Sequence, residues 1–332
     1  MQIVIIGSTG LVGTEFIKIL ENRDIDNTSL IFVGSYKSKN LTIKFKNISN
    51  NIITLDDIDY ENNYIFINCA DSDQAKLICD KMSDKSILID NSSFFRLNEN
   101  VPLVIPEINF PKKLHRIYAN PNCSTIILNL LMKPLIDNFG IKRVIVSTYQ
   151  AASGAGKEGL EELMTQTKEI TNDMELTTKF WKKQYIHNAF VHNSAISDNN
   201  YNEEECKIIN ETNKIFKNYG NIPITATCIR IPVLRSHCES VNIELEKETT
   251  YEEIIKILKE CDYLEILDNK NEKIFPESIT STNNVKVQVG HIRKDSSIKN
   301  GFGWNFWISG DQLLRGAAYN AFLILKGIRN NI

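Results

Sequence analysis

The sequence predicts an α/β protein of two domains, a doubly wound parallel sheet followed by a mixed α+β domain. Over roughly the first 120 residues, short apolar runs alternate with helical patterns, which is typical of parallel strands joined by helices. After that point, segments of alternating polarity favour antiparallel strands. With 332 residues, the chain is long enough for both domains.

Composition and charge argue against several classes of function. The net charge is −3 without a dense basic block, so nothing indicates nucleic-acid binding. No apolar run approaches the length of a membrane span, and no signal-peptide pattern is found, so we expect no membrane association. The 7 cysteines and 5 histidines are scattered. This fits reduced thiols in a cytoplasmic protein and no metal site.

The first apolar run leads into a glycine turn. Ile3–Ile6 has the pattern of a strand buried on both faces, and Gly7, Gly10 and Gly13 follow before a helical pattern. In this context Gly7 permits a tight turn, Gly10 lets a pyrophosphate approach, and Gly13 permits close helix packing. The spacing differs from the standard G-x-G-x-x-G, but its position predicts a Rossmann-like dinucleotide-binding domain.

The residues after the second predicted strand indicate which dinucleotide, NAD or NADP, the domain binds. The strand Ser29–Val33 is followed by Gly34–Lys39, which has two lysines, two serines and no carboxylate. An NAD site usually places Asp or Glu here to bind the ribose hydroxyls. Lysines and hydroxyls favour a 2′-phosphate, so the sequence predicts NADP over NAD.

Further strand and helix patterns extend the first domain. Strands are predicted at 64–67, 86–89 and 101–105, with Asp73 capping a helix that runs to about Met82. Arg96 comes shortly after a predicted strand, at the edge where open α/β sheets bind ligands. A surface arginine is the alternative for that residue.

The stretch Tyr118–Thr125 reads as a strand end, a tight turn and the start of a helix. Pro121 lacks a donor for the strand ladder, and apolar residues from Ile126 to Leu135 recur at helical spacing. Cys123 is therefore expected at a helix N-terminus. There, free N–H groups and the helix dipole favour a thiolate and could hold an oxyanion. A buried structural cysteine is the alternative.

The second half of the sequence predicts a strand at 143–150 and a small-residue loop at 151–157. It also predicts one helix that starts at 158 and another over 203–217. Glu204 and Lys207 share one face of the latter helix, where a surface ion pair is the alternative. Residues 224–232 and 237–245 are predicted to be antiparallel strands. A helix at 251–259, strands at 285–292 and 302–308, and a final helix from Asp311 to about Ile328 complete the chain. We expect that helix to return to the first domain. The predicted domains are 1–121 with 309–332 for NADP binding, and 122–308 for catalysis and dimerisation.

Several motifs, taken together and in this order, resemble the aspartate-semialdehyde dehydrogenase family. The resemblance covers nearly the whole chain. The motifs are Gly7–Gly13, Asp90–Arg96 with Val101–Glu107, Asn120–Thr125, Ser147–Gly156, Ala226–Leu234 with His237–Glu244, and Gly310–Ala318.

The resemblance implies a role for each matching residue. Cys123 resembles the nucleophile with Asn122 beside it, Gln150 the residue that orients the thiohemiacetal, and His237 the acid/base, a task suited to titration near neutrality. For the substrate, Arg230 resembles the carboxylate partner, Glu204 the ammonium partner, and Arg96 and Lys207 the phosphate binders. Cofactor positions implied in the same way are Gly7, Ser8, Thr9, Gly10, Leu11, Val12, Ser35, Lys37, Ser38, Ser153, Gly154 and Gln312.

The implied reaction is the NADP-dependent interconversion of L-aspartate 4-semialdehyde plus phosphate and L-4-aspartyl phosphate through a cysteine thioester. It belongs to the biosynthesis of lysine, threonine, methionine and isoleucine, and the family implies a homodimer or homotetramer. Three positions depart from the family pattern. Lys37 stands where Arg is frequent, Gln312 stands where Asn is common near the nicotinamide, and Asn68–Asp71 replaces a Ser-Ala-Gly type of turn.

Two other functions remain open from the sequence. N-acetyl-γ-glutamyl-phosphate reductase shares the thioester chemistry, but that family tends to have Gly where this chain has Asn122. A non-catalytic NADP-binding Rossmann protein would be expected to lose the thiol or the imidazole. Both Cys123 and His237 are present.

Overall fold

The computed structural model describes residues 1–23, 27–298 and 302–330. Within these ranges, contacts divide the chain into two compact units, Met1–Asn122 with Ala317–Ile332, and Cys123–Gly316. The domain boundaries given above stay a prediction. Residues 309–316, which the sequence assigned to the first domain, lie in the second unit. The strand Gly303–Gly310 pairs there, and Asp311 and Gln312 form hydrogen bonds with Arg235 and Ser153 of the same unit.

The strands of the first unit are β1 Gln2–Ile6, β2 Leu30–Val33, β3 Thr42–Phe45, β4 Ile48–Ile53, β5 Tyr64–Asn68, β6 Ile87–Asp90 and β7 Ile117–Ala119. Those of the second are β8 Ile141–Gln150, β9 Phe190–Val191, β10 Ile224–Arg230, β11 His237–Leu245, β12 Leu264–Ile266, β13 Val287–Lys294 and β14 Gly303–Gly310.

The helices of the first unit are α1 Leu11–Glu21, α2 Ser72–Lys81 and α3 Pro106–Asn109. The second unit contains α4 Cys123–Phe139, α5 Lys157–Thr171, α6 Glu203–Ile215, α7 Tyr251–Lys259 and α8 Ser278–Ser281. The last helix, α9 Tyr319–Arg329, belongs to the first unit, where it contacts α1, α3 and β6.

The described strands of the first unit form one sheet in the order β3-β4-β2-β1-β5-β6-β7. Its pairs from β4 to β7 are parallel, which confirms the doubly wound sheet. Its core contains Phe16 of α1, Phe32 of β2 and Phe322 of α9, so the final helix does return to this unit as expected. The antiparallel β3–β4 hairpin was not predicted, since Ile48–Ile53 lacks a regular alternation of polar and apolar residues.

The described strands of the second unit form a mixed sheet in the order β12-β13-β14-β11-β8-β10-β9. β11 is antiparallel to β8, as expected. The expectation of an antiparallel strand at 224–232 is wrong for its pairing with β8, which is parallel. The pair is parallel because the connection from β8 to β10 contains α5 and α6, which form the long crossover that parallel strands require.

Three local predictions are corrected by the structure. Asp71, and not Asp73, caps α2, because its side chain accepts hydrogen bonds from the backbone N–H groups of residues 73 and 74. Residues 101–105 form only an isolated bridge, Leu103 to Ala119, because Pro102 has no N–H to donate to a ladder. The final helix does not start at Asp311, since a π-helical turn, Leu314–Ala318, precedes α9.

Candidate active site

Cys123 begins the 17-residue helix α4, as predicted. The helix forms because apolar side chains such as Ile127 and Leu131 are buried along it. The thiol is reduced and half-buried. A Cβ added to Gly316 would lie 2.7 Å from the Cβ of Cys123, so only glycine fits against this residue. The sequence analysis did not single out Gly316, because nothing in its local pattern shows this contact.

Three predicted site residues meet at one edge of the second sheet. Gln150 and Arg230 end the parallel strands β8 and β10, where they are partners in the register. His237 begins β11, which runs antiparallel to β8, so its first residue lies at the same edge. Strand direction alone therefore brings these residues together from distant parts of the chain.

The imidazole of His237 is completely buried and has a defined tautomer. The backbone N–H of Ala151 donates to its Nδ1 at 3.0 Å, so the proton of the neutral ring lies on Nε2. Among the described residues, no hydrogen-bond partner faces Nε2. Burial, and then the nearby Arg230, lower the pKa of His237 to about 3. The expected titration near neutrality is therefore wrong for this environment, which disfavours the imidazolium.

Arg230 is 4% exposed, and its guanidinium is held on three sides. Its Nη1 donates to the carbonyl of Ala151 at 3.1 Å, and Nη2 lies 2.7 Å from Nε2 of His192. The ring of Trp181 lies under the guanidinium, 5.6 Å from ring centroid to Cζ. Burial lowers the pKa of Arg230, while Glu204, Tyr185 and Cys123 oppose that shift. Its Nε has no partner among the described residues, so a donor is left for an anion.

Glu204 lies in the first turn of α6 and is buried. The capping box of Asn202 and Glu205 fixes the start of that helix. The carboxylate accepts a hydrogen bond from Gln150 Nε2 at 3.3 Å and lies 3.4 Å from Lys207 Nζ. Gln150 also donates to Ser124 Oγ at 3.1 Å. Because the carboxylate is buried, this is not the exposed ion pair that was the alternative.

The small-residue loop after β8 packs directly on these groups. A Cβ added to Gly154 would lie 2.9 Å from His237 Nε2 and 3.2 Å from Arg230 Nη1. Ser153 Oγ donates to the carbonyl of Leu234 at 2.6 Å and lies 2.6 Å from Gln312 Nε2. Gln312 Oε1 accepts from the N–H of Ser236 at 2.7 Å. The Gln312 amide thus joins this loop to the segment that precedes His237. The predicted cofactor roles of Ser153, Gly154 and Gln312 stay predictions.

Arg96 and Asn122 lie in the first unit. Arg96 donates from Nε to the carbonyl of Asn120 at 2.9 Å and from Nη2 to that of Asn91 at 2.8 Å. These carbonyls follow β7 and β6, so the guanidinium lies at the carboxyl edge of the first sheet, as predicted. Asn122 is buried immediately before Cys123.

The first unit contains a cavity of about 480 Å³ at the carboxyl ends of β1, β2 and β5. Gly7, Thr9, Gly10 and Ser35 line it. Gly7 has a φ of +72°, and a Cβ on Gly13 would lie 2.3 Å from the carbonyl oxygen of Gly7. The turn therefore depends on glycine at both positions, as the fingerprint predicts.

Other predicted cofactor residues differ in their surroundings. Ser8 Oγ donates to the carbonyl of Val33 at 3.0 Å, while Leu11 and Val12 form the first turn of α1, whose N–H groups suit a pyrophosphate. Ser38 Oγ lies 3.4 Å from Thr9 Oγ1. Lys37 lies in the short turn Tyr36–Ser38, outside the residues that line the described cavity.

A carboxylate that the sequence analysis missed also lines this cavity. Asp56 follows β4, which pairs with β2, and its side chain contacts the hydroxyl of Tyr36. The argument for NADP considered only the residues after β2. Pairing with a neighbouring strand brings an acidic residue to the same edge, and nothing in the local sequence shows this.

Within residues 1–23, 27–298 and 302–330, no group of three potential metal ligands is found. In the same ranges, no helix has the length and apolarity needed to cross a bilayer.

The fold and the site define a semialdehyde dehydrogenase, with a dinucleotide-binding unit and a second unit that has a thiol at the start of a helix. Two family models match the chain, the NAD binding domain of semialdehyde dehydrogenase over residues 2–117 and the dimerisation domain over 132–315.

The chain belongs to the aspartate-semialdehyde dehydrogenase family. It is 36% identical to the aspartate-semialdehyde dehydrogenase of Bacillus subtilis, over 99% of this chain and 97% of that protein. It is 38% identical to that of Prochlorococcus marinus, over 98% and 95%. Among solved structures, aspartate semialdehyde dehydrogenase II of Vibrio cholerae is 32% identical with a TM-score of 0.90, over 98% of this chain and 97% of that chain. The Vibrio enzyme has also been solved in complex with ASA.

Proposed function

We propose that this chain interconverts L-aspartate 4-semialdehyde plus phosphate and L-4-aspartyl phosphate, with NADP as the redox partner. The observation that carries the proposal is the cluster in the second unit, where Gln150, Glu204, Arg230 and His237 surround one buried edge of the sheet. Gln150 donates to Ser124 Oγ at 3.1 Å, so the residue that follows Cys123 contacts this cluster. The relatives compared above are named aspartate-semialdehyde dehydrogenases, and the match covers nearly their full length.

Arg230 and Glu204 can bind the two charged groups of an amino acid. A guanidinium is a planar donor that suits a carboxylate, and a buried carboxylate suits an ammonium group. Fixing both groups holds the aldehyde carbon of the substrate in one place. Such alignment lowers the barrier to attack by Cys123, because the orientation is already established on binding.

The first chemical step is attack of the Cys123 thiolate on the aldehyde carbon, which forms a carbon–sulfur bond and an alkoxide. The Nε2–H of His237 suits a hydrogen bond to that alkoxide, since its tautomer is fixed by Ala151. As hydride leaves, the alkoxide becomes the carbonyl of a thioester. The negative charge of the thiolate leaves with the hydride, so no proton has to move to His237 in this step. We therefore propose donation to the oxygen, in place of the acid/base role predicted from the sequence.

The glycine turn and its cavity fit a dinucleotide. Backbone N–H groups at the start of α1 suit the pyrophosphate, and Ser35, Lys37 and Ser38 are the proposed partners of the 2′-phosphate. When bound, NADP supplies the hydride acceptor for the reaction.

Phosphate completes the proposed reaction by opening the thioester, which releases the acyl phosphate and the Cys123 thiolate. Lys207 and Arg96 are the proposed phosphate ligands. The ammonium group of Lys207 is partly exposed beside Glu204. A homodimer or homotetramer is proposed because the family model that matches residues 132–315 is that of a dimerisation domain. The cytoplasmic location stays a prediction from the cysteine content.

The test is an assay of hydride transfer with two aldehydes, aspartate semialdehyde and N-acetylglutamate semialdehyde, each with NADP or NAD and with or without phosphate. We expect rapid, phosphate-dependent turnover of the first aldehyde, with preference for NADP. Preference for the second aldehyde would instead support the reductase.

Cys123→Ala should abolish turnover and retain NADP binding. Cys261→Ala is the matched control, because Cys261 follows α7 and its thiol donates to the carbonyl of Ile257. Equal activity of the Cys123→Ala variant would remove the covalent mechanism. Absence of turnover by the wild-type protein with either aldehyde, together with NADP binding, would support a non-catalytic protein.

A further inference from the structure

His192 is a partly buried polar residue to which the sequence analysis gave no role. It follows the short edge strand β9, and its backbone N–H donates to the carbonyl of Cys228 on β10 at 2.8 Å. This backbone contact fixes the imidazole next to the end of β10, where Arg230 lies.

The hydrogen bonds of His192 define its tautomer. Its Nε2 lies 2.7 Å from Arg230 Nη2, and a guanidinium can only donate. Nε2 therefore accepts, and the neutral ring carries its proton on Nδ1. Nδ1 lies 3.0 Å from Ser194 Oγ, to which it can donate. The backbone N–H of Ser194 is more distant from Nδ1, at 3.3 Å, and cannot donate to a protonated nitrogen.

Ser194 continues this contact to the other substrate-binding residue. Its Oγ accepts a hydrogen bond from the backbone N–H of Glu204 at 3.3 Å. A continuous chain of hydrogen bonds thus runs from the guanidinium of Arg230 through His192 and Ser194 to the first turn of α6. One end of this chain is the proposed carboxylate ligand, and the other carries the proposed ammonium ligand.

We propose that His192 is a positioning residue that sets the separation of Arg230 and Glu204, and thereby the fit of an α-amino-acid aldehyde. This inference rests on the proposed function of those two residues. The imidazole acts through its neighbours and is not assigned a contact with the reacting atoms.

The electrostatic surroundings of His192 agree with a neutral ring. Burial and then Arg230 lower its pKa to about 4, with Glu204 opposing the shift and Lys207 adding to it. His237 also faces this group of charges, and its own pKa is lowered partly by His192. The acceptor at Nε2 is therefore retained at neutral pH, where a protonated ring would repel the guanidinium.

The test compares His192→Leu, which removes both polar contacts, with His192→Gln, whose amide oxygen can accept from Arg230. With aspartate semialdehyde, we expect the leucine variant to raise KM by about tenfold or more with a smaller change in kcat, since it loses ground-state binding. The glutamine variant should recover most of that loss. KM for phosphate and for NADP should be unchanged in both.

Propanal separates positioning from a general structural effect. It has the aldehyde but neither charged group, so Arg230 and Glu204 have nothing to hold. We expect wild-type protein and His192→Leu to oxidise propanal at equal, low rates. An equal loss on both aldehydes, or no rescue by glutamine, would overturn the inference.

Two further variants serve as a substitute and as a control. If the leucine variant does not fold, Ser194→Ala replaces it and should give a smaller rise in KM for aspartate semialdehyde. His187→Asn is the matched control in the same segment, because asparagine tolerates the φ of +56° found there. If the wild-type protein does not prefer aspartate semialdehyde to propanal, the proposed function fails; if that preference survives in His192→Leu, the positioning role fails.

Discussion

The nucleotide cavity of the first unit and the catalytic cluster of the second are built in different ways. The cavity depends on backbone shape, with Gly7 and Gly10 in its turn, and nearby side chains such as Tyr36 are 72% exposed. In the catalytic cluster, side chains such as Arg230 and His237 are buried and hydrogen-bonded to backbone groups. The comparison predicts that small changes in the second unit affect rate, whereas changes in the first affect the choice of cofactor.

Among variants that leave Cys123 in place, the largest effect is expected from Gly154→Ala. The new Cβ would lie 2.9 Å from the ring of His237 and 3.2 Å from Arg230, so both groups must move. Since a displacement of roughly 1 Å can cost about a hundredfold in rate, we expect kcat/KM to fall by about that factor. Steady-state assays with aspartate semialdehyde would measure it.

Gly156→Ala is the control for that variant. Gly156 lies in the same loop at a φ of +89°, but a Cβ there meets no described atom within 4 Å. It should cost about 1 kcal/mol of stability from backbone strain with little loss of rate. Equal losses of rate in the two variants would show that the loop conformation matters and that the contact with His237 does not.

A smaller effect is expected from Asp56→Asn in the first unit. Asp56 lines the cavity with Ser35, so its charge opposes a 2′-phosphate and suits the ribose hydroxyls of NAD. The repulsion between two unit charges at short range in water is about 1 kcal/mol, which corresponds to roughly a fivefold change in affinity. The ratio of kcat/KM for NADP over NAD should rise by about this factor. An unchanged or lower ratio would contradict the assignment of Asp56 to the cofactor site.

His237, which is buried, and His192, which is partly buried, predict a pH dependence of stability. The pKa of His192 is lowered to about 4 and that of His237 to about 3, while the unfolded chain binds protons near 6.5. Below that pH the unfolded state holds more protons, so stability is lost as the pH falls from 6.5 towards 4. Each histidine contributes up to about 1.4 kcal/mol per pH unit in this window.

Urea unfolding at pH 7.5 and 5.5 would measure this dependence. His192→Gln should lose less stability than the wild-type protein between these two values, by about 1.4 kcal/mol, because it lacks one of the two groups. Identical losses in both proteins would mean that His192 is not held neutral by the fold.

The sequence predicted elements whose signal is local. β1 with its glycine turn was recognised because a buried-type strand precedes Gly7, and α4 because apolar residues recur after Cys123. The side-by-side position of Glu204 and Lys207 follows from helical spacing and was also predicted. The family resemblance added Gln150, Arg230 and His237 as site candidates, which the structure brings to one edge.

What the sequence missed depends on contacts between distant residues. The low pKa of His237 comes from burial and then from Arg230, and its tautomer is set by the N–H of Ala151, 86 positions earlier in the chain. His192 has no recognisable motif, and its role follows only from its contact with Arg230, 38 positions later. The parallel pairing of β10 with β8 was likewise hidden, since one strand's apolar pattern does not show the direction of its neighbour.

The central claim is that Cys123 carries the acyl group during the reaction. The most direct measurement mixes the protein with aspartate semialdehyde and NADP without phosphate, quenches it in acid and examines the cysteine peptides by mass spectrometry. We predict one aspartyl group on the peptide that contains Cys123, which disappears when phosphate is added before the quench. NADPH formation with every cysteine unmodified, or with the acyl group on another cysteine, would contradict the account.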